Sequence, residues 1–140
     1  MGLIMDTSAL VTLERARSSW EQFQAVVTDE PVAMPVIVYA ELLASVRLAD
    51  SPARAAVRQA TIDVFASRMP IVDFGLKTAK HWASLFAHLY QMGSMIPAND
   101  LAIAATAFER GFGVLVGPEG EAHFRRVPDL RVKVLRPFAS

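Results

Sequence analysis

Met1-Gly2-Leu3-Ile4-Met5-Asp6-Thr7-Ser8-Ala9-Leu10 opens the chain: an apolar run, then an acid and two hydroxyls, then the start of a new apolar periodicity. Gly2 to Met5 is apolar without alternation, which reads as a strand buried on both faces. Asp6-Thr7-Ser8 supplies a strand end and a helix N-cap. The helix from about Ala9 carries Leu10, Leu13 and Ala16 on one face.

Outward from this βα opening the same grammar recurs. Trp20 to Val27 is a second helical stretch, and Val32-Ala33-Met34, bracketed by Pro31 and Pro35, is a short strand. Pro35 is placed to open a helix from Val36 to about Leu48. Asp50-Ser51-Pro52 caps another helix, whose inner face is expected to carry Ala56, Ala60 and Val64. Ile71 to Phe74 is a third strand candidate. A long helix from Leu76 to Met92 follows, stopped by Gly93, and the Pro97 helix runs to about Arg110, stopped by Gly111. Val114-Leu115-Val116 is a fourth strand, and the alternating Arg131 to Leu135 is a fifth, near an edge. Strands alternating with helices predict an α/β fold with a parallel sheet layered between helices. Ligands in such sheets bind beyond the carboxyl ends of the strands.

At 140 residues the chain is expected to form one domain, 1–140, with a real core. Hydrophobic content of 53% against 20% charged argues against disorder. No apolar run approaches the roughly 20 residues of a membrane span, and Met1 to Met5 lacks a basic leader segment. A cytoplasmic location without membrane contact is the expectation. Cysteine is absent, which removes disulfides and thiolate metal sites. Fourteen basic side chains balance fourteen acidic ones, so a broad nucleic-acid-coating surface is disfavoured, though a local track is not.

The chemistry lies in scattered acids. Asp6 follows the first strand, where a side chain is held rigidly at the sheet edge; a plain capping role is its blander reading. Glu41 lies in a helix with Ile37 and Val38 one turn back and Ala44 and Ser45 one turn on, so its helix offers it no basic partner. Either those neighbours are partly exposed or Glu41 points into a pocket. Asp100 falls in the first turn of its helix, favoured there by the macrodipole, and shares a stripe with Ile103, Ala104 and Ala107. A fourth acid, Glu119 or Glu121, follows the fourth strand. His123 reads as a surface or packing histidine. His81 and His88 stand roughly 10 Å apart along one helix and cannot share a zinc. Carboxylates gathered round one pocket raise each other's pKa unless a cation neutralises them. Such donors suit Mg²⁺ or Mn²⁺, a site able to activate water for phosphoryl transfer.

These residues resemble PIN-domain ribonucleases, specifically the VapC toxins of bacterial toxin–antitoxin pairs. The resemblance spans nearly the whole chain. It rests on Leu3-Ile4-Met5-Asp6-Thr7-Ser8-Ala9-Leu10, on Tyr39-Ala40-Glu41-Leu42, on Ile96-Pro97-Ala98-Asn99-Asp100-Leu101-Ala102-Ile103-Ala104, and on His123-Phe124-Arg125-Arg126-Val127-Pro128-Asp129-Leu130. It implies a PIN-like (Rossmann-like) α/β/α sandwich around a central parallel sheet of four to five strands. The implied activity is Mg²⁺- or Mn²⁺-dependent endoribonuclease hydrolysis of RNA phosphodiesters. Asp6, Glu41 and Asp100 match the family's first three acids, Ser8 a hydroxyl supporting the first, and Asn99 the polar neighbour of the third. The implied partners are RNA, a second copy in a homodimer, and a cognate antitoxin that blocks the site. The fourth station departs from the pattern: Gly117 replaces a Thr, and His123 stands where an acid precedes Phe124. Counting forward from the strand selects Glu119, the favoured fourth ligand; counting back from Phe124 permits Glu121.

Three other readings fit less well. A catalytically inactive PIN-like module that binds RNA or protein is the main alternative. A receiver-type signalling domain would need an acidic pair near the first strand and a late Lys, whereas Asp6 stands alone and Lys133 lies near the C-terminus. A haloacid-type phosphatase would want a second Asp where Ser8 stands.

Overall fold

The computed structural model describes residues 1–27 and 29–136. Its elements alternate as the sequence predicts: β1 (Leu3–Met5), α1 (Thr7–Arg15), α2 (Trp20–Val26), β2 (Val32–Pro35), α3 (Val36–Arg47), α4 (Pro52–Ala66), β3 (Ile71–Val72), α5 (Leu76–Gln91), α6 (Ala98–Arg110), β4 (Gly113–Val116), α7 (Glu121–Phe124) and β5 (Val132–Val134), with a 3₁₀ turn at Pro118–Gly120 before α7. The five strands form one parallel sheet in the order β3-β2-β1-β4-β5. The expected edge position of the fifth strand holds.

Central β1 shows why the sheet is layered. Leu3, Ile4 and Met5 are all 0% exposed, and successive side chains of a strand point to opposite faces. Both faces are therefore covered, the condition of an all-parallel sheet. Helix α6 packs on β1 and β4 through its buried stripe Leu101, Ile103, Ala104 and Ala107, and α1 packs on β4. Helix α6 ends at Gly111, whose φ of +68° suits the left-handed cap.

Local chemistry sets the helix ends. Ser51 accepts from Arg54 N at 3.1 Å with Pro52 at the first helical position, and Ser19 with Gln22 closes a capping box on α2. Helix α1 starts at Thr7, earlier than expected, because Asp6 itself is the N-cap.

Helix α4 differs from the sequence expectation. Ala56 and Ala60 are exposed and Val64 is 41% exposed; Ile62 and Phe65 are the buried residues. Phe65 meets Phe23 and Trp20 edge-on, at ring-centroid distances of 5.3 and 5.6 Å. The larger side chains win the inward face because they remove more apolar surface from water than alanines do.

Candidate active site

The sheet order places a topological switch between β1 and β4, since the chain runs from β1 outward to β2 and β3 and then returns to the other side of β1. Clefts open at the carboxyl ends of such strands. Asp6 is the first residue past β1 here, pinned by its own N–H donating to Leu115 O at 2.9 Å. It is only 5% exposed. Its Oδ2 accepts from Ser8 N at 3.0 Å and from the Ser8 hydroxyl. Burial pushes the Asp6 carboxyl above its ordinary value, the Ser8 hydroxyl and amide oppose the rise, and the charge of Asp100 adds to it.

Asp6, Glu41, Asp100, Glu119 and His123 line one cleft of about 360 Å³. Glu41 reaches it from α3, with Oε1 accepting from Thr7 Oγ1 at 2.8 Å and Oε2 from Asn99 Nδ2 at 3.2 Å. Asp100 reaches it from the first turn of α6, and its Oδ2 lies 2.7 Å from His123 Nδ1. The starts of α1 and α6 and the middle of α3 thus meet at one cleft, joined by hydrogen bonds from Thr7 and Asn99 to Glu41.

The segment after β4 closes the floor. Gly117 N donates to Ser8 Oγ at 2.9 Å, and that hydroxyl donates onward to Asp6 Oδ2. A Cβ on Gly117 would fall on the Thr12 hydroxyl and lie 2.5 Å from Ser8 O, and one on Gly120 would lie 2.8 Å from Asp6 Oδ2. Two glycines let the loop press directly on the turn that carries Asp6. Glu119, in the 3₁₀ turn, borders the cleft but pairs with Arg15 Nη1 at 2.8 Å. Glu121 is turned away by α7 and pairs with Arg125 at 3.1 Å.

The PIN-domain model matches residues 3–130, from β1 to the loop before β5. The chain belongs to the PIN-domain family. "Ribonuclease VapC" of Rickettsia bellii is 30% identical over 135 residues, covering 94% of this chain and 95% of the relative. "Ribonuclease VapC5" of Mycobacterium tuberculosis is 32% identical over 114 residues, 80% of this chain and 79% of that protein. The crystal structure of VapBC2 from Rickettsia felis bound to a DNA fragment from its promoter superposes with a TM-score of 0.80 at 26% identity, covering 96% of this chain and 98% of that one.

Within this PIN domain the residues singled out from sequence fall into three groups. Asp6, Glu41 and Asp100 share the cleft, with Ser8 bonded to Asp6 and Asn99 bonded to Glu41. Glu119 stands at the cleft's border, held by Arg15, while Glu121 does not line it. His123 is the correction: read as a surface or packing histidine, it lines the cleft and pairs with Asp100. A helix of four residues gives no periodicity from which to read a facing side chain, and only the position of His123 before Phe124 marked it. Thr7 was also missed, read only as part of a helix cap, and Arg15 was not singled out among the fourteen basic side chains.

The donor set suits a hard divalent cation. Four carboxylates line the cleft, with Glu119 paired to Arg15 and no lysine among them, and the ionised form of the buried Asp6 is disfavoured by burial and by Asp100. A cation relieves both costs. As placed, no three carboxylate or imidazole groups among the described residues surround a single point; Thr7, Asn99 and His123 hold Glu41 and Asp100 to their own partners.

Proposed function

We propose that this PIN domain is the toxin of a toxin–antitoxin pair, an endoribonuclease that hydrolyses RNA phosphodiesters with Mg²⁺ or Mn²⁺. The observation that carries the reading is the buried Asp6 at the β1 edge, sharing a cleft with Glu41 and Asp100 from two other helices. The relatives' names support the ribonuclease activity, and the VapBC2 structure supports a protein partner.

Asp6 and Asp100 each commit one oxygen, Oδ2, to a protein donor, and they would hold the cation through the other. Glu41 has both oxygens engaged, so it would act through a water. A divalent cation bound there lowers the pKa of water and neutralises charge on a phosphoryl oxygen. Ser8 and Asn99 hold Asp6 and Glu41 in place. Glu119 keeps Arg15 at the mouth, where the guanidinium can take a phosphate in a bidentate contact; once released, the Glu119 carboxylate would support a water or a second ion.

The antitoxin reading has its own support. A groove of about 670 Å³ between α1, α3 and α4 has an apolar lining that includes Leu10, Leu42 and Val57, with Arg54 and Arg58 alongside. Thr7, Val11 and Arg15 line both this groove and the acidic cleft. An amphipathic acidic segment laid in the groove would reach the cleft mouth. A second copy of the chain completes the proposed assembly as a homodimer.

The test is cleavage of structured RNAs by wild type, Asp6→Asn and Asp100→Asn with Mg²⁺, Mn²⁺ or chelator. Cleavage that needs the cation and both acids is expected. Metal-independent cleavage, or equal activity in the variants, would overturn the metal site; RNA binding without cleavage under every condition would favour the inactive module.

A further inference from the structure

His123 is a titratable cleft side chain to which the proposed mechanism gives no role. Its ring is only partly exposed, and the chain holds it from behind through Phe124, which is 0% exposed. Nδ1 lies 2.7 Å from Asp100 Oδ2, and no other hydrogen bond to this ring is made by the described residues. A carboxylate that ligates a cation can only accept, so in that state the donor of this bond is Nδ1–H. Nε2 points away from that bond, so the ring nitrogen nearer Asp100 is already committed to Oδ2. The geometry therefore disfavours His123 as a co-ligand with Asp100 and favours it as the group that orients that acid.

We infer that His123 is a positioning residue: by donating Nδ1–H to Oδ2, it leaves Asp100 a single oxygen to offer the cation. This rests on the metal reading proposed above. Hydrogen bonds to ligating carboxylates are a recurrent device for fixing a ligand, and their loss typically weakens metal binding about 10- to 100-fold. Asparagine can place an N–H donor near the position of Nδ1, whereas alanine cannot.

The experiment is Mn²⁺ titration of the intact protein, free Mn²⁺ being read by electron paramagnetic resonance, for wild type, His123→Ala, His123→Asn and Asp6→Asn. The expected result is Mn²⁺ affinity about 10- to 100-fold weaker in His123→Ala, largely restored in His123→Asn, and lost in Asp6→Asn. Spin-echo spectra of the Mn²⁺-loaded wild type should carry no coupling to a directly bound imidazole nitrogen. Unchanged affinity in His123→Ala, with binding still lost in Asp6→Asn, would overturn the positioning role and leave the metal site standing. Nitrogen coupling abolished by His123→Ala would also overturn it, by making His123 a ligand. Absence of Mn²⁺ binding in every protein would overturn the metal site itself, and the inference with it.

Discussion

Asp6 caps α1 with the same carboxylate that it brings to the cleft, and the two duties pull in opposite directions. Capping needs an oxygen acceptor, which asparagine also supplies; the cleft needs a charge that burial and Asp100 both disfavour. A carboxyl raised above its ordinary value of 3.8 binds its proton more tightly folded than unfolded. Its stabilising contribution is fully present below the unfolded value and is lost as pH rises through the folded one. Asp6→Asn in chelator should therefore melt above wild type at pH 7, the gap closing as pH falls toward 3.8. RNA cleavage should meanwhile drop at least about 100-fold, more than loss of a merely orienting group causes. A variant that melts below wild type at pH 7 contradicts this account. Gly117 makes a second prediction at this scale. Restoring the threonine that the family resemblance leads one to expect would drive a Cβ onto the Ser8 carbonyl and the Thr12 hydroxyl. Gly117→Thr should cost about 1–3 kcal/mol in urea unfolding. Thr12→Ala should rescue it only in part, because the Ser8 contact is backbone.

Whole elements were legible wherever caps and breakers stood at their ends. Ser51-Pro52 and the Gly111 stop gave α4 and α6 boundaries that the structure keeps within a residue or so. The face of α4 was not legible in the same way: Ala56, Ala60 and Val64 share a stripe, but alanines contribute too little burial to hold it inward. The aromatic cluster of Trp20, Phe23 and Phe65 sets the helix rotation instead. Phe65→Ala should cost about 3–5 kcal/mol by chemical denaturation, while Val64→Ala next to it should stay within about 0.5 kcal/mol. Similar losses at both positions would refute this helix rotation. At α7 the limit is length, since four residues carry no period from which the direction of His123 could be inferred.

Across the whole molecule, equal numbers of acidic and basic side chains leave no broad field to attract RNA, so recognition falls to the few groups at the cleft mouth. That mouth is continuous with the α1–α3–α4 groove, so under the proposed function RNA and antitoxin would meet at shared residues. Val57 is 62% exposed in the groove and distant in sequence from every acid of the cleft. Val57→Asp should leave RNA cleavage unchanged yet weaken inhibition by the antitoxin at least about tenfold, the cost of one charge placed against an apolar contact (~1.4 kcal/mol). Inhibition curves against purified antitoxin measure it; unchanged inhibition would place the partner elsewhere. By itself, the sequence determined the βα alternation and the parallel sheet, because strand runs and caps are local signals; it made Asp6, Glu41 and Asp100 candidates, singled out together by the family resemblance. Tertiary structure alone decided that Glu119 faces Arg15, that Glu121 leaves the cleft and that His123 enters it. The first depends on how closely the loop after β4 approaches α1, between residues more than a hundred positions apart, and the others on how α7 packs beside α6.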